Sequence, residues 1–228
     1  MEVREMRIAR DAYAREKGAY LIYGWAEGVE VKEEDAEVTE FLRKVEEEVR
    51  RKYVLEKVKD VPVIRAYRDF MWRIGIDPTK IRPSSEALLR RALRGSIPTI
   101  NSLVDLGNAV SLRYLVPIGI YDLDKAKDSM ILRKAREGEI FLPIGKGEVR
   151  LNGNEVVLAD EEGPMHLFPY RDSRRTMVTL DTKRALVVGA GVNGVEEELV
   201  KKAVSEILNF LREKGAEVSE NVYGCEDI

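Results

Sequence analysis

Glutamine is absent from this 228-residue chain, and cysteine and histidine occur once each. A lone thiol, Cys225, rules out an intrachain disulfide and a thiolate cage for zinc or an iron–sulfur cluster, and it points to a reducing, cytoplasmic setting. The opening residues Met1 to Arg10 lack the apolar run of a secretory signal, and no stretch reaches the ~20 apolar residues of a bilayer span; neither export by that route nor membrane insertion is expected. Ser-x-x-Lys, His-Glu-x-x-His and Cys–His pairings are also missing, so a hydrolase built on this chain would use water as its nucleophile. Avoidance of glutamine beside abundant Glu, Lys and Arg is the composition expected of a protein adapted to high temperature. Net charge is -3, from 41 acids against 38 bases, which taken globally argues against a nucleic-acid binder.

What is present is enough apolar side chain, 44% of residues, for a sizeable core. Ala19 to Ala26 reads as a buried strand. Val38, Phe41, Leu42, Val45 and Val49 form one helical stripe. A second helix runs from Pro62 to Ile74 and is broken by Gly75 and Asp77-Pro78. Ser84 or Ser85 is expected to cap a third, and a fourth starts near Asn101 or Ser102. Beyond Pro117, short apolar runs at Met130–Leu132, Ile140–Leu142, Glu155–Leu158, Met177–Leu180 and Ala185–Val188 alternate with turn residues, the pattern of a mostly antiparallel β region. Val195 to Lys214 is an amphipathic helix ended by Gly215. Helices gather early and strands late, so an α+β fold is predicted, as one compact unit over 1–228.

Gly189-Ala190-Gly191-Val192-Asn193-Gly194 matches G-x-G-x-x-G after a strand and before a helix. Glu196, Glu197 and Glu198 occupy the first helical turn, where they would repel a pyrophosphate, and the reading preferred is a glycine-rich turn without a dinucleotide. The lone His166 reads as structural. Two basic islands stand out. Lys80 to Arg94 carries Lys80, Arg82, Arg90, Arg91 and Arg94 against Glu86 alone, and Arg171 to Arg184 carries Arg171, Arg174, Arg175, Lys183 and Arg184 against Asp172 and Asp181. Either these arginines pair with surface carboxylates, or they converge on phosphates and rim one cavity. Asn101, Asp105 and Asn108 share a helical face that either lines a pocket or merely caps and solvates the helix.

The order of segments carries a resemblance. Arg82-Pro83-Ser84-Ser85-Glu86-Ala87-Leu88-Leu89-Arg90-Arg91 precedes Ile100-Asn101-Ser102-Leu103-Val104-Asp105-Leu106-Gly107-Asn108. Then come Pro117 to Tyr121 before Asp122-Leu123-Asp124-Lys125, Leu132-Arg133-Lys134-Ala135 with Gly138-Glu139, and Arg171-Asp172-Ser173-Arg174-Arg175-Thr176 before Val178-Thr179-Leu180-Asp181-Thr182-Lys183. Together they resemble the B3/B4 domain of the phenylalanyl-tRNA synthetase β subunit, most of all its free-standing members, with homology over 61–190, an N-terminal extension over 1–60 and a C-terminal helix and tail over 191–228. The resemblance implies a layered fold with helices in the N-terminal half and an unusual β-sandwich in the C-terminal half. It also implies binding of tRNA or aminoacyl-tRNA, with hydrolysis in trans of tyrosine wrongly esterified to phenylalanine tRNA. No metal, organic cofactor, DNA or membrane is implied.

Two positions depart from the family. Bacterial synthetases carry a histidine where this chain has Gly119, and their pocket glutamate falls near Arg174. The residues left to shape an aminoacyl pocket are Asn101, Asp105, Arg171, Arg174 and Thr176, with Asp172 to orient the water. Arg82, Arg90, Arg91 and Arg94 would contact the RNA backbone. The rival expectation is a non-catalytic module that binds a free amino acid or similar small ligand.

Overall fold

The computed structural model describes residues 6–228. Strand β1 (Ile8–Arg10) and the short helix α1 (Ala12–Glu16) lead into β2 (Ala19–Glu27). Four helices follow: α2 (Ala36–Lys52), α3 (Pro62–Arg73), α4 (Ser84–Arg94) and α5 (Ser102–Tyr114). The β region comprises β3 (Ile118–Asp122), β4 (Met130–Lys134), β5 (Ile140–Phe141), β6 (Val149–Arg150), β7 (Val156–Asp160), β8 (Gly163–Phe168), β9 (Arg171–Asp172) and β10 (Arg184–Val192). Helix α6 (Glu197–Glu213) precedes three two-residue strands, β11 (Glu217–Val218), β12 (Tyr223–Gly224) and β13 (Glu226–Asp227). The α+β class read from the sequence is the class observed.

Two sheets share the work. In the first, β10 pairs antiparallel with β2 along its whole length, from Val192 opposite Ala19 to Arg184 opposite Glu27, and with β3 on its other side; β11 and β12 both pair with β2. The second runs β13-β1-β4-β7-β8-β9. Here β1 lies parallel to both β4 and β13, and the remaining pairs are antiparallel. Leu21 and Val187 of the first sheet, Leu132 and Leu158 of the second and Ile207 of α6 belong to one buried cluster. Each such side chain contributes about 1.5–3 kcal/mol by leaving water. A second cluster joins the helices through Leu42 and Val45 of α2, Ile64 of α3, Leu89 of α4 and Leu112 of α5.

The helix boundaries follow their caps. Asp35 accepts hydrogen bonds from the Glu37 and Val38 amides at the start of α2, and Asn101 accepts one from the Val104 amide at the start of α5. Helix α4 departs from expectation. Pro83 occupies the cap position, Ser84 and Ser85 fall inside the first turn, and the buried Ser85 hydroxyl has no hydrogen-bond partner. The expected strand over Met177–Leu180 is reduced to a single bridge between Met177 and Tyr121. There a local turn wins, because the Thr182 hydroxyl accepts from the Thr179 amide and the Thr182 amide donates to the Thr179 carbonyl.

The glycine-rich segment is mostly strand and not turn. Gly189 and Gly191 lie within β10. A Cβ at Gly189 would stand 2.6 Å from Val200 of α6, so glycine there lets the helix press onto the sheet. Among the described residues, no helix is long and apolar enough to cross a membrane.

Candidate functional site

Helix α5 lies across β3, and the loops after α4 and around β9 close the space beside them into a cavity of about 170 Å³. Its wall is mainly aliphatic, with Val104 from α5, Ile118 and Ile120 from β3, and Ile100, Ile144, Met177 and Val178 from the loops. Ile100, Ile144 and Met177 are exposed at its rim. Three polar side chains enter this wall: Asn101, Asn108 and Asp172.

Asp172 is held from behind. Its Oδ1 accepts a hydrogen bond of 2.8 Å from the Tyr121 hydroxyl on β3 and lies 2.7 Å from His166 Nδ1 on β8. The register places His166 directly opposite Asp172 in the β8–β9 pair. Burial, reinforced by the Asp172 carboxylate, pushes the Tyr121 phenol well above its ordinary value, so it stays protonated and donates. His166 is buried and packs edge-on against the rings of Tyr121 and Phe168. About a third of the Asp172 side chain remains exposed.

This arrangement depends on Gly119. Residues 119 and 121 point to the same side of β3, and a Cβ at 119 would stand 2.1 Å from the Tyr121 hydroxyl. The space that any side chain at 119 would need is therefore filled by the phenol that holds Asp172.

The other expected pocket residues are placed differently. Asp105 turns back to accept from the Ile100 amide at 2.8 Å and is buried; burial raises its carboxyl above the ordinary value, against the lowering effect of that amide. It holds the cavity-lining loop without lining the cavity. Arg174 donates to the Gly147 carbonyl, 2.6 Å away, and Arg171 is exposed. Thr176 is fully buried, its hydroxyl unpartnered. Asn108, weighed in the sequence with Asn101 and Asp105 as one helical face, does line the cavity, and Tyr121 and His166 join the site without having been singled out for it.

Arg82, Arg90, Arg91 and Arg94 do come together. They line one open concavity of about 450 Å³ on α4, closed at one end by Gly95 and Ser96. Arg90 is anchored to the fully buried Glu86, which also takes Arg68, while Arg82 stands at 3.9 Å from it. Arg91 and Arg94 are exposed and, among the described residues, form no ion pair. The second basic island does not join them. Arg175 grips Asp160, and Arg184 bonds Glu27 and Asp124.

Concavity and cavity are neighbours. Ser96 precedes Ile100 by four residues, a reach of at most about 14 Å. At the other end of α4, the Ser84 amide donates to the Pro169 carbonyl, three residues before Asp172.

Residues 66–220 match the model of the B3/4 domain. The chain belongs to that family. Within it, similarity runs to phenylalanine–tRNA ligase β subunits: 34% identity over 123 residues with that of Carboxydothermus hydrogenoformans, covering 54% of this chain and 15% of the relative. For Neisseria meningitidis serogroup B the figures are 40% over 78 residues, 34% of this chain and 10% of the relative. The chain thus spans only a small part of the ligase subunits it matches. An N-terminal fragment of the phenylalanyl-tRNA synthetase β subunit from Pyrococcus horikoshii has a similar fold, with a TM-score of 0.58 at 17% identity over 96% of this chain and 54% of that one. This B3/4 domain is therefore related to a synthetase module, with Gly119, Tyr121, His166 and Asp172 arranged as described.

Proposed function

We propose that this B3/4 protein binds the aminoacylated 3′ end of a tRNA and hydrolyses mischarged species in trans, tyrosyl-tRNA of the phenylalanine type being the first candidate. The observation that carries the proposal is the adjacency of a ring-sized apolar cavity holding a carboxylate to a concavity lined by four arginines. Names of the relatives supply the RNA class, since they are phenylalanine–tRNA ligases.

The chemistry asked of the protein is modest. An aminoacyl ester is labile, and holding a water against its carbonyl in a fixed geometry supplies much of the needed acceleration. Asn101, Asn108 and Asp172 are the groups able to hold that water or the ester. Arg91 and Arg94 retain charge for the RNA backbone, whereas Arg90 is partly spent on Glu86. Support for a second reading, binding without turnover, comes from Asp172 itself, because one of its oxygens already takes both Tyr121 and His166.

Deacylation of tyrosyl-tRNA specific for phenylalanine decides between them. Release of tyrosine well above the rate in buffer, lost in Asp172→Asn, supports hydrolysis. Salt-dependent binding of the charged tRNA without release supports the second reading, and absence of both overturns the proposal.

A further inference from the structure

We infer that Trp72, on the exposed side of α3, is a stacking platform for an unpaired base of the RNA whose backbone the α4 arginines meet. This inference deepens the tRNA reading and rests on it. Of the two tryptophans in the chain, Trp25 is buried and Trp72 is 55% exposed. Among the described residues, no ring or cation lies over the Trp72 indole, and its N–H has no acceptor. Single exposed apolar residues are ordinary; the position of this one is what gives it a use.

That position is set by the joint between α3 and α4. Arg68 and Trp72 are one turn apart on the same side of α3, about 6 Å along its axis. Arg68 holds Glu86 of α4 at 3.0 Å, and the same carboxylate takes Arg90 at 2.8 Å and faces Arg82 at 3.9 Å. Both of those arginines line the α4 concavity. Arg68 also donates to the Pro78 carbonyl at 3.3 Å, which draws the α3–α4 loop, with exposed Lys80 and Ile81, to this side of the helix. Asp69 is the exposed carboxylate on this stretch, against Arg73 and Lys80. Charged neighbours of this kind suit a nucleotide better than the core of a protein–protein contact, where charge is depleted. Guanidinium groups hold phosphates, whereas the face of an indole takes a base of any identity. The 3′ terminus of a tRNA is single-stranded and offers such bases.

Tryptophan emission of the whole protein would be titrated with three probes: uncharged phenylalanine tRNA, an adenosine oligonucleotide of about 10 nucleotides, within the site size of stacking proteins, and a blunt RNA duplex. Saturable quenching is expected with the first two and none with the duplex. In Trp72→Phe, where Trp25 alone emits, the quenching should disappear while binding of tRNA, followed by filter retention, persists. Trp72→Ala should lower affinity for tRNA about tenfold, with the slope of log affinity against log salt unchanged, because a base stack neutralises no phosphate. Both variants should melt as the wild type does, since the ring is exposed. Binding of tRNA without quenching, equal quenching by the duplex, or wild-type affinity in Trp72→Ala would each overturn the inference and leave the RNA reading standing. A wild type that sediments as a dimer, and as a monomer in Trp72→Ala, would overturn it by giving the indole to a second copy of the chain. A wild type that binds no tRNA at any salt concentration would instead remove the RNA reading, and this inference with it.

Discussion

Glu86, on the arginine-bearing helix, and Asp172, near its N-terminal end, are both carboxylates, and their surroundings differ in one respect that separates structure from function. Glu86 is fully buried and clasped by Arg68 and Arg90, with Arg82 behind them. Its charge is neutralised within the fold, and it ties α3 to α4. Asp172 keeps a third of its side chain exposed and, among the described residues, its carboxylate meets a phenol and an imidazole but no guanidinium. A carboxylate surrounded by guanidinium groups is a joint; one fixed by a phenol and an imidazole, and left facing a cavity, remains available to a ligand.

Substitutions at the two sites should therefore diverge. Glu86→Gln leaves buried guanidinium groups uncompensated and is expected to cost about 3–5 kcal/mol, lowering Tm by about 10 °C; calorimetric melting would measure this, and a loss under about 1 kcal/mol would mean that Glu86 is no joint. Asp172→Asn keeps an acceptor for Tyr121 and His166, so melting should shift by no more than about 1 kcal/mol, while affinity for a charged tRNA end falls about tenfold or more. A double substitution Arg91→Ala, Arg94→Ala should leave stability within about 0.5 kcal/mol and reduce the slope of log affinity against log salt by about 1.5, as loss of two phosphate contacts requires; an unchanged slope would place the RNA elsewhere. Tyr121→Phe is the mildest change, since His166 still holds Asp172. About 1 kcal/mol of stability and a few-fold loss of ligand affinity are expected, read by the same melting and binding titrations.

The contrast also marks what was legible in the sequence. Periodic apolar residues located α2, α3 and α5, and the Asn101 cap was visible because an amide before an apolar run has one common use. Arg90, Arg91 and Arg94 were legible as a group because helical spacing keeps them together, and Arg82 stands just ahead of the same helix. Pairing of distant segments was not legible. Strand β8, with Pro164 at its start and His166 in its middle, carries no alternating pattern that sets it apart, yet its register against β9 is what brings His166 to Asp172. Nothing in the sequence marked out Tyr121, and only its clash with an imagined Cβ at Gly119 shows why the glycine and the tyrosine go together. For Arg175 and Arg184 of the second island, the pairing alternative is the one that holds, through partners that sequence order does not place nearby. Asp160, Glu27 and Asp124, distant in sequence, neutralise Arg175 and Arg184 once the chain is folded.

The most direct test compares the affinities of phenylalanine tRNA mischarged with tyrosine and the same tRNA without its amino acid, in wild type and in Asp172→Asn, at one fixed salt concentration. Tighter binding of the charged form by the wild type and equal binding of both by the variant are expected, with affinity for the uncharged tRNA unaltered. Indifference of the wild type to the amino acid would contradict that expectation.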